Sequence, residues 1–209
     1  MYLIRVSLPD RPGKLGALAT AVGMMSADIQ AVEIVGRDDF GNVIDDLMVT
    51  LPDHLMPDNV VSACTGVEGV RVLWCSRYPA GAGLESDIEA LEKMVAEPDL
   101  AADILADSAP VVFHCHWALV ASNASKQVLH ATAMAPELSP EQLDLLGPLD
   151  LSHTTELPQG WVPEWVETTV AVATIRGDRA IAIGRHGGPP FLGAEMARLR
   201  YLATMVPEA

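Results

Sequence analysis

Positive charge is scarce in this chain. Thirteen lysines and arginines stand against 28 acids in 209 residues, a net charge of −15 at pH 7. The deficit is uneven: residues 1–76 carry five Lys/Arg against ten Asp/Glu, residues 84–109 one against eight, and only residues 167–209 are slightly positive, five against four. Nucleic acids are bound by dense cationic surfaces that displace counterions. This chain repels a polyanion over most of its length, so no nucleic-acid partner is expected. Long apolar runs are also missing. None approaches the roughly 20 residues that span a bilayer, and the N-terminal Met1-Tyr2-Leu3-Ile4-Arg5-Val6 has neither the basic segment nor the apolar stretch of a secretory leader. A cytoplasmic protein without a membrane partner is the expectation.

Cysteine is sparse too. Cys64, Cys75 and Cys115 are odd in number and share no close pairing motif, which reads as buried thiols in a reducing compartment. The glycine-rich stretch Gly184-Arg185-His186-Gly187-Gly188-Pro189-Pro190 lacks the Lys-Ser/Thr of a phosphate loop and reads as a hairpin exit turn. No Ser-His-Asp or Cys-His nucleophile arrangement can be argued. Asp38-Asp39 and Asp45-Asp46 are neighbouring acids whose side chains point to opposite faces of a strand, so they form no acid/base dyad and read as solvated. His114-Cys115-His116 is the most metal-like cluster. In a strand over residues 111–120 the two histidines share a face, but zinc takes a third or fourth protein ligand, and nothing places His130 or His153 nearby. No catalytic residue, metal or cofactor is therefore expected. A small enzyme built around the His114/His116 strand is the outlying alternative.

What is present is a chain that is 50 % hydrophobic and long enough for one or two domains of about 100–200 residues. Tyr2, Ile4, Val6 and Leu8 alternate with the residues between them, a strand pattern. The turn cluster Pro9-Asp10-Arg11-Pro12-Gly13 follows. Leu15, Leu18, Ala19 and Val22 then mark one helical face, ended near Gly23 and Ser26. Residues 28–35 read as a strand, Asp39-Phe40-Gly41-Asn42 as a turn, and residues 43–51 as the next strand, with Val43, Leu47, Val49 and Leu51 on one face and Asp45 interrupting it. Pro57-Asp58 opens a short helix, and a last strand carries Val70, Val72 and Trp74 on one face. The order β-α-β-β-α-β is the ferredoxin-like arrangement. Its open sheet face and unpaired edge need a cover, and pairing of two copies is the economical one.

Residues 78–83 (Tyr-Pro-Ala-Gly-Ala-Gly) mark a boundary. Beyond it Leu84, Ile88, Leu91 and Val95 form a stripe on an acidic helix, and Asp99 opens a second helix expected to reach residue 106. A buried strand is expected over 111–120, a weaker one over 126–133, and a short helix near 141–146. Two strands over 168–175 and 179–185 are joined by the tight turn Gly177-Asp178, and an amphipathic helix runs over 191–205. Trp117, Trp161 and Trp165 read as core. The expected organisation is α+β: one domain over 1–78, a linker and acidic helical connector over 79–110, and a second domain over 111–209 with which the helices from 84 onward pack.

The segment Leu8-Pro9-Asp10-Arg11-Pro12-Gly13-Lys14-Leu15-Gly16 ahead of a helix, together with Ala27-Asp28-Ile29 at the next strand, resembles the signature of ACT domains over residues 1–76. The loop's chemistry stands without that likeness. Gly13 permits close backbone approach, and a helix N-terminus favours a carboxylate. Asp10 can accept from an ammonium, so one loop can recognise both ends of a free amino acid. The resemblance implies a ligand at the interface of two domains, between Asp10, Arg11, Pro12, Gly13, Lys14 and Leu15 of one chain and Asp28 and Ile29 of another. Members of that family often carry Asn where Asp28 stands.

The last part, Val170–Ile175, the Gly177-Asp178 turn, Ala180–Arg185, Phe191 and the final helix, more loosely resembles a GAF-type sensory domain, implying an antiparallel sheet flanked by helices. Together the resemblances imply a non-catalytic, allosteric regulatory homodimer that binds an amino acid or similar small ligand, with a possible protein partner. A regulatory subunit of an amino-acid biosynthetic enzyme is the alternative.

Overall fold

The computed structural model describes residues 1–77, 84–146, 155–157, 161 and 168–208. The linker at 78–83, His153 and Trp165 lie outside the described residues. The chain divides into two compact units, Met1–Ala80 and Gly81–Ala209, and no described helix is long and apolar enough to cross a membrane.

The first unit runs β1 (Tyr2–Leu8), α1 (Lys14–Met24), β2 (Asp28–Arg37), β3 (Val43–Thr50), α2 (Pro57–Thr65) and β4 (Arg71–Arg77). Its antiparallel sheet has the order β2-β3-β1-β4. Alternation sends Ile4, Val6 and Leu8 to the face shared by Val43, Leu47 and Val49, where Leu18 and Val22 of α1 and Val60 and Cys64 of α2 complete a buried core. Strand β4 departs from strict alternation. Val72 lies opposite Val6, but Trp74 lies opposite Arg5, so Leu73 is an extra residue. One inserted residue reverses every later side chain. Trp74 therefore joins the other face, where the Arg5 guanidinium sits 5.9 Å from its ring centre, and Cys75 takes the place at the core.

The acids expected to be solvated are largely not. Asp46 is buried and grips Arg5 with two hydrogen bonds, 2.7 and 2.8 Å. Asp38 accepts from the Ser7 hydroxyl and from Arg71. The Asn42 side chain and the backbone N–H groups of Phe40 and Asn42 also donate to it. Its carboxyl is held well below the ordinary range, chiefly by the Asn42 side chain. Asp45 is 2 % exposed.

The second unit contains α3 (Leu84–Ala96), α4 (Ala101–Val112), β5 (Trp117–Ser122), β6 (Gln127–Ala131), α5 (Pro140–Asp144), β7 (Thr155–Leu157), β8 (Thr168–Thr174), β9 (Arg179–His186) and α6 (Gly193–Met205), with a 3₁₀ turn at Pro98–Leu100. Its antiparallel sheet has the order β6-β5-β9-β8-β7. Alternation splits it between two cores. Ala118, Val120, Ala171, Ala173, Ile181 and Ile183 meet α3, α4 and α6. Trp117, Leu119, Val170, Val172, Ala180 and Ala182 meet Leu143, Leu146 and Trp161 on the opposite face. Gly184 lies where any Cβ would fall inside the Trp117 ring. Gly177, with φ of 82°, makes the hairpin turn, and Asp178 pins it by accepting from the Ser122 hydroxyl.

Two expectations here fail for identifiable reasons. Residues 111–112 close a helix rather than open a strand. Ala102, Leu105, Ala106, Ala109 and Val112 are buried at helical spacing, and that burial outweighs the β-branched pair and the helix-disfavouring Pro110. The domain boundary expected at 111 thus falls inside α4. On α3 the buried positions are Ser86, Ala90 and Met94, with Leu91 packed against the last two. Ile88 and Val95 of the expected stripe are 47 % and 79 % exposed.

Candidate functional site

Strand β1 ends at Leu8, and the chain turns through Pro9–Pro12 to Gly13, the N-cap of α1. Arg11 N–H donates to the Pro9 carbonyl and Lys14 N–H to the Arg11 carbonyl, closing two tight turns. Gly13 has φ 87°, a left-handed conformation that side chains disfavour, and among the described residues no atom outside its chain neighbours lies within 4 Å of where its Cβ would stand. First-turn N–H groups of a helix have no intrahelical acceptor, and no side chain caps α1. The result is a positively polarised helix start whose N–H groups beyond Lys14 have no side-chain cap, with open space where a Gly13 Cβ would stand.

The other loop residues are placed unequally. Asp10 pairs with Arg37 at 2.7 Å, both more than half exposed. Lys14 donates to the Glu68 carbonyl. Arg11 and Pro12 are exposed, and Leu15 is 39 % exposed. Asp28 is exposed and accepts from the Gln30 side chain. The register separates the two halves of the expected site: Leu8 lies opposite Val43 and Asp28 opposite Thr50, at opposite ends of β3. Seven strand steps of about 3.4 Å put them roughly 24 Å apart. A single chain does not bring Asp28 and Ile29 to the loop.

Asp45, expected from sequence to be a solvated acid, is instead buried. It lies opposite Val6 on one side and Ile34 on the other, on the face covered by the helices. Its Oδ1 is buried and makes no hydrogen bond among the described residues. Burial, followed by the negative charges of Asp46 and Asp10, raises its carboxyl above the usual range. The only sequence signal was an acid breaking an apolar alternation.

In the second unit the two metal-like histidines do not share a strand face. His114 has φ 49° and His116 precedes β5. The partner of His116 is instead His186, ring centres 4.9 Å apart. The His186 backbone N–H donates to Nδ1 of His116 at 3.0 Å, so His116 carries its proton on Nε2. Among the described residues no group of three or more His, Cys, Asp or Glu is placed to hold a metal ion. Burial is the main cause lowering both histidines, assisted at His116 by His186 and Arg185. A depressed folded value means the unfolded chain takes up protons first as pH falls. The stabilising contribution is therefore complete above about 6.5 and is lost as pH falls from there through the folded values. Chemical denaturation at pH 7.5 and pH 5 is expected to show a loss that is smaller in His116→Gln/His186→Gln, since Gln accepts the N–H without titrating. An equal loss in both proteins would remove these histidines as the cause.

Cys64 and Cys115 are buried, and burial pushes their thiols up to about 11 and about 12, which makes them poor nucleophiles. Between α3 and α4 lies a cleft of about 360 Å³ lined by Glu89, Lys93, Ile104 and Asp107 among others.

No protein-family model and no curated protein matches the chain. Among solved structures it is similar to the GAF domain of a putative sensor histidine kinase from Pseudomonas syringae pv. tomato, at 15 % identity and TM-score 0.41, over 59 % of this chain and 81 % of that one. It is similar to an unknown protein from Galdieria sulphuraria at 14 % identity and TM-score 0.31, over 88 % and 78 %. It is also similar to a formyltetrahydrofolate deformylase from Pseudomonas putida at 10 % identity and TM-score 0.33, over 98 % and 91 %. All three likenesses are distant.

Proposed function

We propose that this chain is a non-catalytic regulatory protein of the cytoplasm. Its first unit is a ferredoxin-like ACT domain that binds a free amino acid between two copies of the chain, and its second is a GAF-like domain that responds. The observation that carries this reading is the start of α1 at Gly13, which no side chain caps and where the Cβ position is open. Its N–H groups suit a carboxylate. Roughly 24 Å between the loop and Asp28 within one chain calls for a second chain to complete the site.

The edge strand β2 supports the pairing. Val32 and Ile34 are 39 % and 69 % exposed, and a bare apolar edge invites a second strand. Ile34→Lys is expected to halve the mass seen by sedimentation at micromolar concentration; an unchanged mass would place any dimer contact elsewhere. In the GAF-like unit the sheet face away from α3, α4 and α6 holds Trp117 and Trp161. That filling favours transmission over binding there. Ligand would act by favouring one dimer geometry, which requires different affinity for two states.

Thermal unfolding of stripped protein against the twenty amino acids, each at millimolar concentration, tests the reading. A ligand at ~100 times its dissociation constant adds about 2.7 kcal/mol to the folded state. One or a few amino acids are expected to raise the midpoint, and no shift with any of them would contradict amino-acid sensing.

A further inference from the structure

We propose that Asp45, rather than Asp10, receives the ammonium group of the ligand. This rests on the amino-acid site proposed at the loop and names the residue that selects an amine there.

Three acids crowd this end of the sheet, and two are already served. Asp46 holds Arg5 through two hydrogen bonds on the opposite face, and Asp10 is paired with Arg37 at 2.7 Å. Asp45 is 2 % exposed, has a buried Oδ1 and forms no hydrogen bond or ion pair among the described residues. An unpaired buried carboxylate is costly, and it persists where something else rewards it.

Its position fits a ligand held by the α1 start. Asp45 stands two residues from Val43, which lies opposite Leu8, the last residue before the loop. It shares the helix-covered face with Val43 and Leu47. Two strand steps of about 3.4 Å place Asp45 roughly 7 Å along β3 from the pair at which β1 ends and the loop begins. Ile34, directly across the ladder from Asp45 and therefore on the same face, is 69 % exposed, as Leu15 in the first turn of α1 is 39 % exposed. The helix cover thus ends beside Asp45, on the side of β2. A carboxylate at the first-turn N–H groups leaves the α-ammonium of the same small molecule facing this acid. The class selected is a primary ammonium next to a carboxylate; a 2-hydroxy acid offers no cation to Asp45.

The test compares wild type with Asp45→Asn and Asp45→Leu, using the twenty amino acids and, for each that binds, its 2-hydroxy acid counterpart. Calorimetry reads affinity, and thermal unfolding reads the ligand-free midpoint. Asp45→Asn is expected to raise that midpoint, because an unpaired buried charge is gone. It is also expected to weaken the amino acid at least tenfold and abolish the preference for amine over hydroxyl. Wild-type binding with undiminished affinity and amine preference in Asp45→Asn would overturn the inference and leave the loop site standing. No binding to wild type would remove the site reading and this inference with it. The Asp45 carboxyl ¹³C resonance of wild type gives a readout free of any folding defect. It is expected to move when a binding amino acid is added, and a fixed resonance would overturn the assignment.

Discussion

Gly13→Asp is expected to weaken amino-acid binding at least tenfold while leaving the first unit folded. The left-handed backbone at Gly13, φ 87°, strains any side chain, but Asp and Asn tolerate that region better than other residues, and no atom within 4 Å of the Cβ position opposes one. The fold therefore survives at a cost of about 1 kcal/mol. Binding loses more, because the new carboxylate faces the place where the ligand carboxylate is to sit. Two like charges about 4 Å apart repel by about 4 kcal/mol at an effective dielectric of ~20. After allowance for the exposed loop, at least a tenfold loss remains, or about 1.4 kcal/mol. Gly13→Asn imposes the same backbone strain without the charge and is expected to retain most of the affinity. Calorimetric titration separates them; equal affinity for wild type and Gly13→Asp would remove the carboxylate from this loop.

The second large effect concerns stability. Arg185 is fully buried. It donates to the Glu195 carboxylate and the Phe113 carbonyl at 2.8 Å each, and to the carbonyls of Pro189 and His114. Its guanidinium stacks 4.2 Å from the Phe191 ring centre. Glu195 in turn accepts from the Leu192 N–H at the start of α6. One side chain thus ties the end of α4, the exit from β9 and the start of α6. Arg185→Met strands a buried carboxylate, and breaking such a pair costs about 3–5 kcal/mol. For a unit this size the midpoint of thermal unfolding is expected to fall by roughly 10–20 °C. Arg185→Met/Glu195→Leu should recover part of the loss, because no charge is left stranded, but not all, because the carbonyls lose their donor. A fall of under about 3 °C in the single variant would show that the hub does not hold the unit together.

The first unit was legible because its apolar alternation and turn residues agree at nearly every step. The positions of β1, α1, β2, β3, α2 and β4 follow the pattern to within a few residues. The Leu73 bulge was not legible, since nothing local distinguishes an extra strand residue from a regular one, and strict alternation therefore puts Trp74 on the wrong face. In the second unit Val111-Val112-Phe113 looks like the start of a strand. The sequence itself gives no view of the tertiary burial of Ala102, Leu105 and Ala109 that holds α4 in a helix to Val112. The His116–His186 pair joins residues 70 positions apart and needs the β5–β9 pairing to be seen. At the candidate site the loop could be read from its turn chemistry. Asp45 could not, because its significance lies in the absence of a partner, and that is a property of packing.

The central claim is that the site is shared between two chains, and mixed dimers test it most directly. Gly13→Asp damages the loop, and Asp28→Lys damages the opposite half. Each homodimer is expected to bind at least tenfold more weakly than wild type. When the two variants are unfolded together and refolded at equal concentration, half of the symmetric pairs are mixed, and each mixed pair rebuilds one intact site. Titration with an amino acid that binds wild type is then expected to recover about a quarter of the wild-type sites, each with wild-type affinity. No recovery from a mixture shown to contain mixed dimers would contradict a site built by two chains.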